Sequence, residues 1–410
     1  MTLLSPPPNA LAAVTHPNPY PYYADLVAHR PVFYDDSLGL WVAASAAAAT
    51  EILIDKNCRV RPPSEPVPKA LLGSPAGEIF RHLVRMNDGA GHCPFKQAVS
   101  AALESIDRGR ADELSDKWAR NLAETDGDES RHLIHSNLGF LLPLHVVGSL
   151  LGIQDEDLPR TSAWMRQLIP ALAPAATPEQ IEQGRVAADE LIAFFRGEMA
   201  SGQASKKSGL LARLAAEAKR FGRDDATLII SNGIGFMIQA HDATAGLLGS
   251  SILALRSHPA IGEAVAKNPA LLREVMHEVL RFDAPVQNTR RFVATDSVVA
   301  GENMVSGDAI LVLLAAANRD PAANADPERF DPFRKNRRVF SFGIGAHACP
   351  GEWLALTMAA AGVRLFLSRG AEMSIEPVRY HASVNARIPL LPRNAERGRG
   401  NLSGARGQTA

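Results

Sequence analysis

The chain has 410 residues, of which 46% are hydrophobic and 21% charged, and its formal net charge is −1. That near-neutral balance excludes the clustered basic excess by which nucleic-acid binders hold phosphates. Single cores usually stop growing near ~250–300 residues, so the length calls for two domains or for one large fold built around something that adds buried surface, such as a flat apolar cofactor.

The opening MTLLSPPPNALAAV carries a proline triplet and no basic stretch, and no run of about 18 apolar residues follows. The expectation is a soluble, cytoplasmic protein with neither a membrane nor a nucleic-acid partner. Three cysteines, Cys58, Cys93 and Cys349, form no C-x-x-C pair and fit a reducing compartment.

Along the chain, an amphipathic helix is predicted around Tyr22–Arg30, then strands at Val32–Tyr34 and Leu40–Ala43 about a polar turn. Residues 62–75 are proline-rich loop. From about Gln97 to Arg281, Ala, Leu, Glu and Arg recur at spacings of three and four, the helical signature. Helix starts are predicted at Asp155–Pro159 and at Asp224–Asp225. The segment Asp225–Ser257 is the longest apolar helix and holds His241, Asp242 and Thr244 in its middle, where polar groups are costly unless paired or used. Short β-branched runs follow at Arg291–Ala294, Ser297–Ala300 and Ala309–Leu314, then a helix at Trp353–Ser368. The fold class is mainly α with a minor β-sheet region. Residues 1–393 read as one domain, and 394–410, rich in Gly and Arg without periodicity, as a disordered tail.

The segment Phe340–Glu352 reads FSFGIGAHACPGE. Glycines bracket a turn and would let the backbone approach a large planar ligand. Cys349 lies just before a helical run, where backbone N–H groups and the helix dipole are expected to lower its thiol pKa. The pattern F-G-x-G-x-H-x-C-x-G, from Phe342 to Gly351, resembles the haem-binding loop of the bacterial soluble cytochrome P-450 family. The resemblance runs from Pro21-Tyr22 and Trp41 to Arg387–Pro392. It implies the fold of that family, with haem b between the long central helix and the Cys-loop helix and Cys349 as the iron ligand.

Further positions follow from the same resemblance. Glu278-x-x-Arg281, spaced to share one helix face, with Arg329 of Pro327-Glu328-Arg329-Phe330, would form a structural Glu-Arg-Arg triad, and Asn318–Pro321 also looks like the family. The haem carboxylates would meet His92 and Lys96, one helical turn apart, then Arg291 and His347. Lysine for the usual arginine of H-x-x-x-R keeps the charge but loses the bidentate fork. Ala240, Phe342, Gly343 and Gly351 complete the expected cofactor contacts.

In the central run Ile238–Thr244, Asp242 takes the place of the family's acid, but the threonine that usually follows is Ala243. Thr244 lies about 100° further round the helix. Protons would then pass by water or a substrate hydroxyl, or through Asp242 or Gln239, or the reaction needs less of the relay. Asp242, Thr244 and Gln239 are the candidate catalytic residues. Gln239 either points to the pocket or caps a helix irregularity.

The implied function is a monooxygenase inserting one atom of O2 into a small or medium-sized organic molecule, by hydroxylation or epoxidation, with secondary metabolism as a setting. Ferredoxin and ferredoxin reductase would supply electrons, docking near Lys335, Arg337 and Arg338. Ala243 leaves two rivals within the family, oxidative coupling and peroxide-driven oxidation, and one outside it, a non-catalytic haem-binding protein. Phe80, Met86, Phe236, Val286 and Ile388 are candidate pocket walls, each equally suited to the core.

Overall fold

The computed structural model describes residues 5–89, 92–125, 138–200, 209–369 and 378–391, so the expected tail at 394–410 lies outside the described residues. The long helix Ala226–Ser257 starts where the acidic pair predicts: the Asp225 carboxylate accepts from the Leu228 N–H at 2.7 Å. Its residues are buried on nearly every side, the mark of a helix at the centre of a fold. Around it pack the helices Pro75–His82, Leu138–Leu151, Leu210–Arg220, Leu272–Phe282 and Glu352–Ser368. The crossing with Glu352–Ser368 is tight because Gly362 offers no side chain: a Cβ there would lie 2.2 Å from Leu248 Cδ1.

The predicted helix near Asp155–Pro159 runs Leu158–Ala171 with Pro159 in its first turn, where a missing N–H costs nothing. Pro143 and Pro170 lie inside helices, against the expectation that proline ends them. The first helix is Tyr20–His29, two residues earlier than its pattern suggested.

The sheet forms at one side. Strands β1 (Val32–Asp35), β2 (Leu40–Ala43), β3 (Cys58–Arg59), β4 (Thr289–Val293) and β7 (Ala309–Val312) align in the order β1-β2-β7-β4-β3. β2 and β7 run parallel, pairing Trp41 with Ile310 and Ala43 with Val312, and the other neighbours are antiparallel. Alternation along β7 feeds two cores: Ile310 and Val312 pack with Ile52 and Phe340, and Leu311 packs with Tyr23 and Val42. β5 (Ser297–Val299) and β6 (Glu302–Met304) form a hairpin, and β8 (Arg379–Tyr380) and β9 (Pro389–Leu390) another. Leu314, read as strand, begins the short helix Leu314–Asn318.

No helix among the described residues is long and apolar enough to cross a membrane.

Candidate active site

The cysteine loop is built by backbone bonds that need its glycines. Gly343 and Gly345 have φ of 66° and 70°, conformations that favour residues without a Cβ. The Gly343 N–H donates to the Phe340 carbonyl, and the Cys349 N–H to the Phe342 carbonyl, each at 2.8 Å. Buried Asn318 holds the loop from behind. Its Oδ1 accepts from the Phe340 N–H at 2.6 Å and its Nδ2 donates to Ser341 Oγ at 3.0 Å. Gly351 caps the helix Glu352–Ser368 and aims its N–H at Cys349 Sγ, 3.4 Å away. The sulfur is accessible although protein walls it in. Burial pushes the thiol up, and the Gly351 N–H and Lys96 only partly oppose it. The expected lowering by the helix terminus is thus outweighed, and ligation to a metal is what would deprotonate this sulfur.

The four expected cations divide into different tasks. His92, 2% exposed, leaves its Nε2 without a partner. Burial, His347 and Lys96 hold the ring down to about 4. Arg291, 5% exposed, bonds only to its own strand, at the Arg290 carbonyl (2.8 Å) and Thr289 Oγ1 (3.4 Å). The His347 ring packs against His92 at a tilt, with ring centroids 4.3 Å apart, and meets the Asp88 carboxylate at 3.2 Å. Lys96 instead donates to the Ala348 carbonyl at 2.7 Å, tying its helix to the residue before Cys349. Among the described residues, a buried imidazole nitrogen without a partner and a buried guanidinium bonded to no carboxylate call for an anion, so these residues fit a haem carrying two carboxylates. Asp88 was not singled out in the sequence, because a lone acid in a loop carries no periodic signal.

Opposing demands are visible on the central helix. Most of its middle is buried, yet Gln239 is exposed and Phe236, Ala240, Asp242 and Ala243 are partly so. Phe236, Ala240 and Ala243 share one face by their spacing. Gln239 Nε2 donates to the Gly235 carbonyl at 2.9 Å, so its amide tops up the helix ladder while staying accessible. Asp242 Oδ1 lies 2.6 Å from His241 Nδ1, and the imidazole, stacked on Phe140, leaves its buried Nε2 unpaired. Thr244 is fully buried and its hydroxyl has no partner. Thr244, expected among the catalytic residues, thus lies one residue further round the helix, with its oxygen off the accessible face. Of the candidate pocket walls, Val286 and Phe236 are partly exposed and Met86 packs at the edge of the core, whereas Phe80 and Ile388 are buried.

The triad is corrected. Glu278 and Arg281 are both fully buried, with Arg281 Nη2 donating to Glu278 Oε1 at 2.6 Å. Arg329 does not join them: its side chain is 72% exposed and reaches only Asp331, 3.7 Å away. Its backbone carbonyl accepts from Arg281 at 3.0 Å. The third cation is Arg337, whose Nε donates to Glu278 Oε2 at 3.0 Å, with Arg334 at 3.5 Å. Arg337 is consequently withdrawn from the basic cluster read as a docking patch, where Lys335 and Arg338 remain exposed.

The sequence model of the cytochrome P450 family matches residues 182–369. Similar proteins extend the match towards the N-terminus. The 20-oxo-5-O-mycaminosyltylactone 23-monooxygenase of Streptomyces fradiae is 28% identical over 82% of this chain and 79% of its own length. The vitamin D(3) 25-hydroxylase of Pseudonocardia autotrophica is 28% identical over 86% of each.

Residues 182–369 thus match the cytochrome P450 family, and these relatives carry the similarity over most of the chain.

In fold, the chain resembles CYP109E1 from Bacillus megaterium, solved in complex with testosterone, with a TM-score of 0.76 over 92% of this chain and 100% of that one at 22% identity. Together these likenesses support a haem-thiolate monooxygenase, an oxidoreductase that uses haem iron, O2, a small substrate and separate sources of electrons.

Proposed function

We propose that this chain hydroxylates or epoxidises a small or medium-sized organic substrate in secondary metabolism, with Cys349 as iron ligand to haem b. The observation that carries the reading is the pairing of an accessible, walled-in Cys349 with a central helix whose accessible middle residues, Phe236, Gln239, Ala240, Asp242 and Ala243, include a single carboxylate. His92, Arg291 and His347 would hold the haem carboxylates, Phe342, Gly343 and Gly351 would shape the loop beneath it, and Ala240 would leave room above it. When bound, haem supplies O2 activation, and its thiolate ligand favours O–O cleavage.

Asp242 is the residue that holds and passes protons. Its carboxylate is about one-third accessible and shares a 2.6 Å contact with His241, so a proton can rest between them. Ala243 supplies no hydroxyl and that of Thr244 is sealed, so the accessible face depends on Asp242 and on whatever water or substrate hydroxyl the cavity admits. Gln239, braced on the Gly235 carbonyl, orients such a group. Ferredoxin and ferredoxin reductase deliver the electrons in the cytoplasm. Lys335 and Arg338 suit an acidic partner, and the absence of any C-x-x-C pair suits a reducing compartment.

Three measurements test this. The reduced, CO-treated protein should give the Soret band of a thiolate-ligated haem, and Cys349→Ala should abolish it. With a surrogate ferredoxin system, oxygen from O2 should appear in the product. Asp242→Asn should slow product formation by roughly 10²-fold or more, the usual range for a lost general acid, with substrate binding little changed. A coupled product without added oxygen, or equal turnover by the variant, would overturn the assignment.

A further inference from the structure

Arg85 sits in the single turn Val84–Met86, between the helices Pro75–His82 and Cys93–Glu104. That turn is clamped to the first third of the central helix. Asn232, 1% exposed, accepts from the Val84 N–H at 2.8 Å and donates to the His82 carbonyl at 2.7 Å. A Cβ on Gly235 would come within 2.6 Å of Leu83 Cδ2, so chain and helix are in close contact. Val84 is buried and Met86 packs on the core, which leaves Arg85 as the side chain of the turn that packing does not absorb.

The Arg85 side chain is accessible and yet surrounded by protein. Cys349 shows the same combination, which belongs to side chains projecting into interior space. An arginine on the outer surface behaves otherwise: neighbouring Arg81 is exposed and pairs with Glu78. Burial lowers Arg85 below the ordinary guanidinium range, and no carboxylate or hydrogen bond offsets it. Nor does Arg85 belong with the cations for the haem carboxylates. His92, Arg291 and His347 all feel Asp88, whereas Arg85 does not. An enclosed guanidinium with no partner among the described residues is costly unless an anion meets it.

We propose that Arg85 binds the substrate's anionic end, and that the substrate is an organic acid whose carboxylate meets Arg85 while its apolar body lies along Phe236, Ala240 and Ala243. From Asn232 to Ala240 is about 12 Å at 1.5 Å per residue, so the oxidised carbon is remote from the carboxylate. A planar guanidinium suits a carboxylate because two parallel N–H groups match its two oxygens. The inference rests on the reading of the site as a haem-thiolate monooxygenase.

The test uses the haem-loaded full chain, titrated with decanoic, dodecanoic and tetradecanoic acids, their methyl esters and the alkyl phosphates of the same lengths, followed by the Soret shift. At least one acid should bind about tenfold or more tighter than its ester, the effect of one charged hydrogen bond. Arg85→Gln should erase that preference while leaving ester binding unchanged, and Arg85→Lys should restore part of it. Equal binding of every acid and its ester by the native enzyme overturns the proposal. So does a variant that weakens acids and esters alike or that loses haem, since either makes Arg85 structural or a haem contact. Alkyl phosphates binding tighter than acids overturn the carboxylate assignment. The CO-bound spectrum, recorded on each protein, separates the two levels: without the thiolate signature the site reading fails, and with it a missing charge preference defeats only the role of Arg85.

Discussion

Glu278 accepts from the side chains of Arg281 and Arg337 and from the Asp331 N–H, all while excluded from water. Removing one partner of a buried ion pair leaves a charge uncompensated and costs about 3–5 kcal/mol, whereas an exposed pair is worth about 1 kcal/mol or less. Arg337→Gln should therefore unfold the holoprotein at a much lower temperature, and Arg329→Gln should leave the melt nearly unchanged. The reverse ranking would restore Arg329 to the triad. Glu278 and Arg281 were legible because three-residue helical spacing joins them. The third cation was not, because Arg329, Arg334 and Arg337 lie in an aperiodic loop whose path decides which of them turns inward. Asp88 offers a second prediction. Burial alone would raise its carboxyl, but the His347 bond and the Val60 N–H outweigh that and hold it below its ordinary value of 3.8. A carboxyl depressed on folding stabilises above its unfolded pKa and loses that contribution as pH falls through the folded one. The stability gap between the native protein and Asp88→Asn, read by thermal melts, should be constant above about pH 5 and close below about pH 4.

Helices were easier to read than the loops between them. The acidic start of the central helix was visible at Asp225, and its burial followed from its length and mostly apolar character. Less visible was what lets it cross the helix Glu352–Ser368. Gly362 reads as a weak helix residue until Leu248 is seen filling the space of its absent Cβ. Gly362→Ala raises intrinsic helix propensity by about 1 kcal/mol, yet overpacking should dominate at about 1–3 kcal/mol. The expected outcome is a lower melting temperature, and a higher one would show that the crossing can open. Strands β1, β2, β4, β5 and β7 were legible from short β-branched runs and the turns that bound them. The parallel pairing of β2 with β7 was not, because partners about 270 residues apart leave no local trace.

At the scale of the molecule, Arg387 joins the two ends of the described chain. It is 2% exposed, its Nε donates to Asp283 Oδ1 at 2.9 Å, and its Nη1 donates to the Val14 and His16 carbonyls at 3.0 and 2.7 Å. Tyr20 completes the junction through a 2.5 Å bond to Asp283. Arg387→Met should cost about 3–5 kcal/mol by stranding Asp283, with Asp283→Asn in the same background recovering part of it, as a double-mutant cycle would measure.

The link from Lys96 to the Ala348 carbonyl also bears on electron transfer. With haem bound at Cys349 as proposed, an ammonium held beside the loop would stabilise the more negative, reduced state of the iron and so raise the driving force for accepting an electron. Lys96→Met should lower the one-electron potential by tens of millivolts, with about 59 mV for each tenfold change in the reduced-to-oxidised ratio. A guanidinium spread over a haem carboxylate would place its charge elsewhere. The lysine would thus make readiness for reduction depend on its hydrogen bond to the residue before the cysteine.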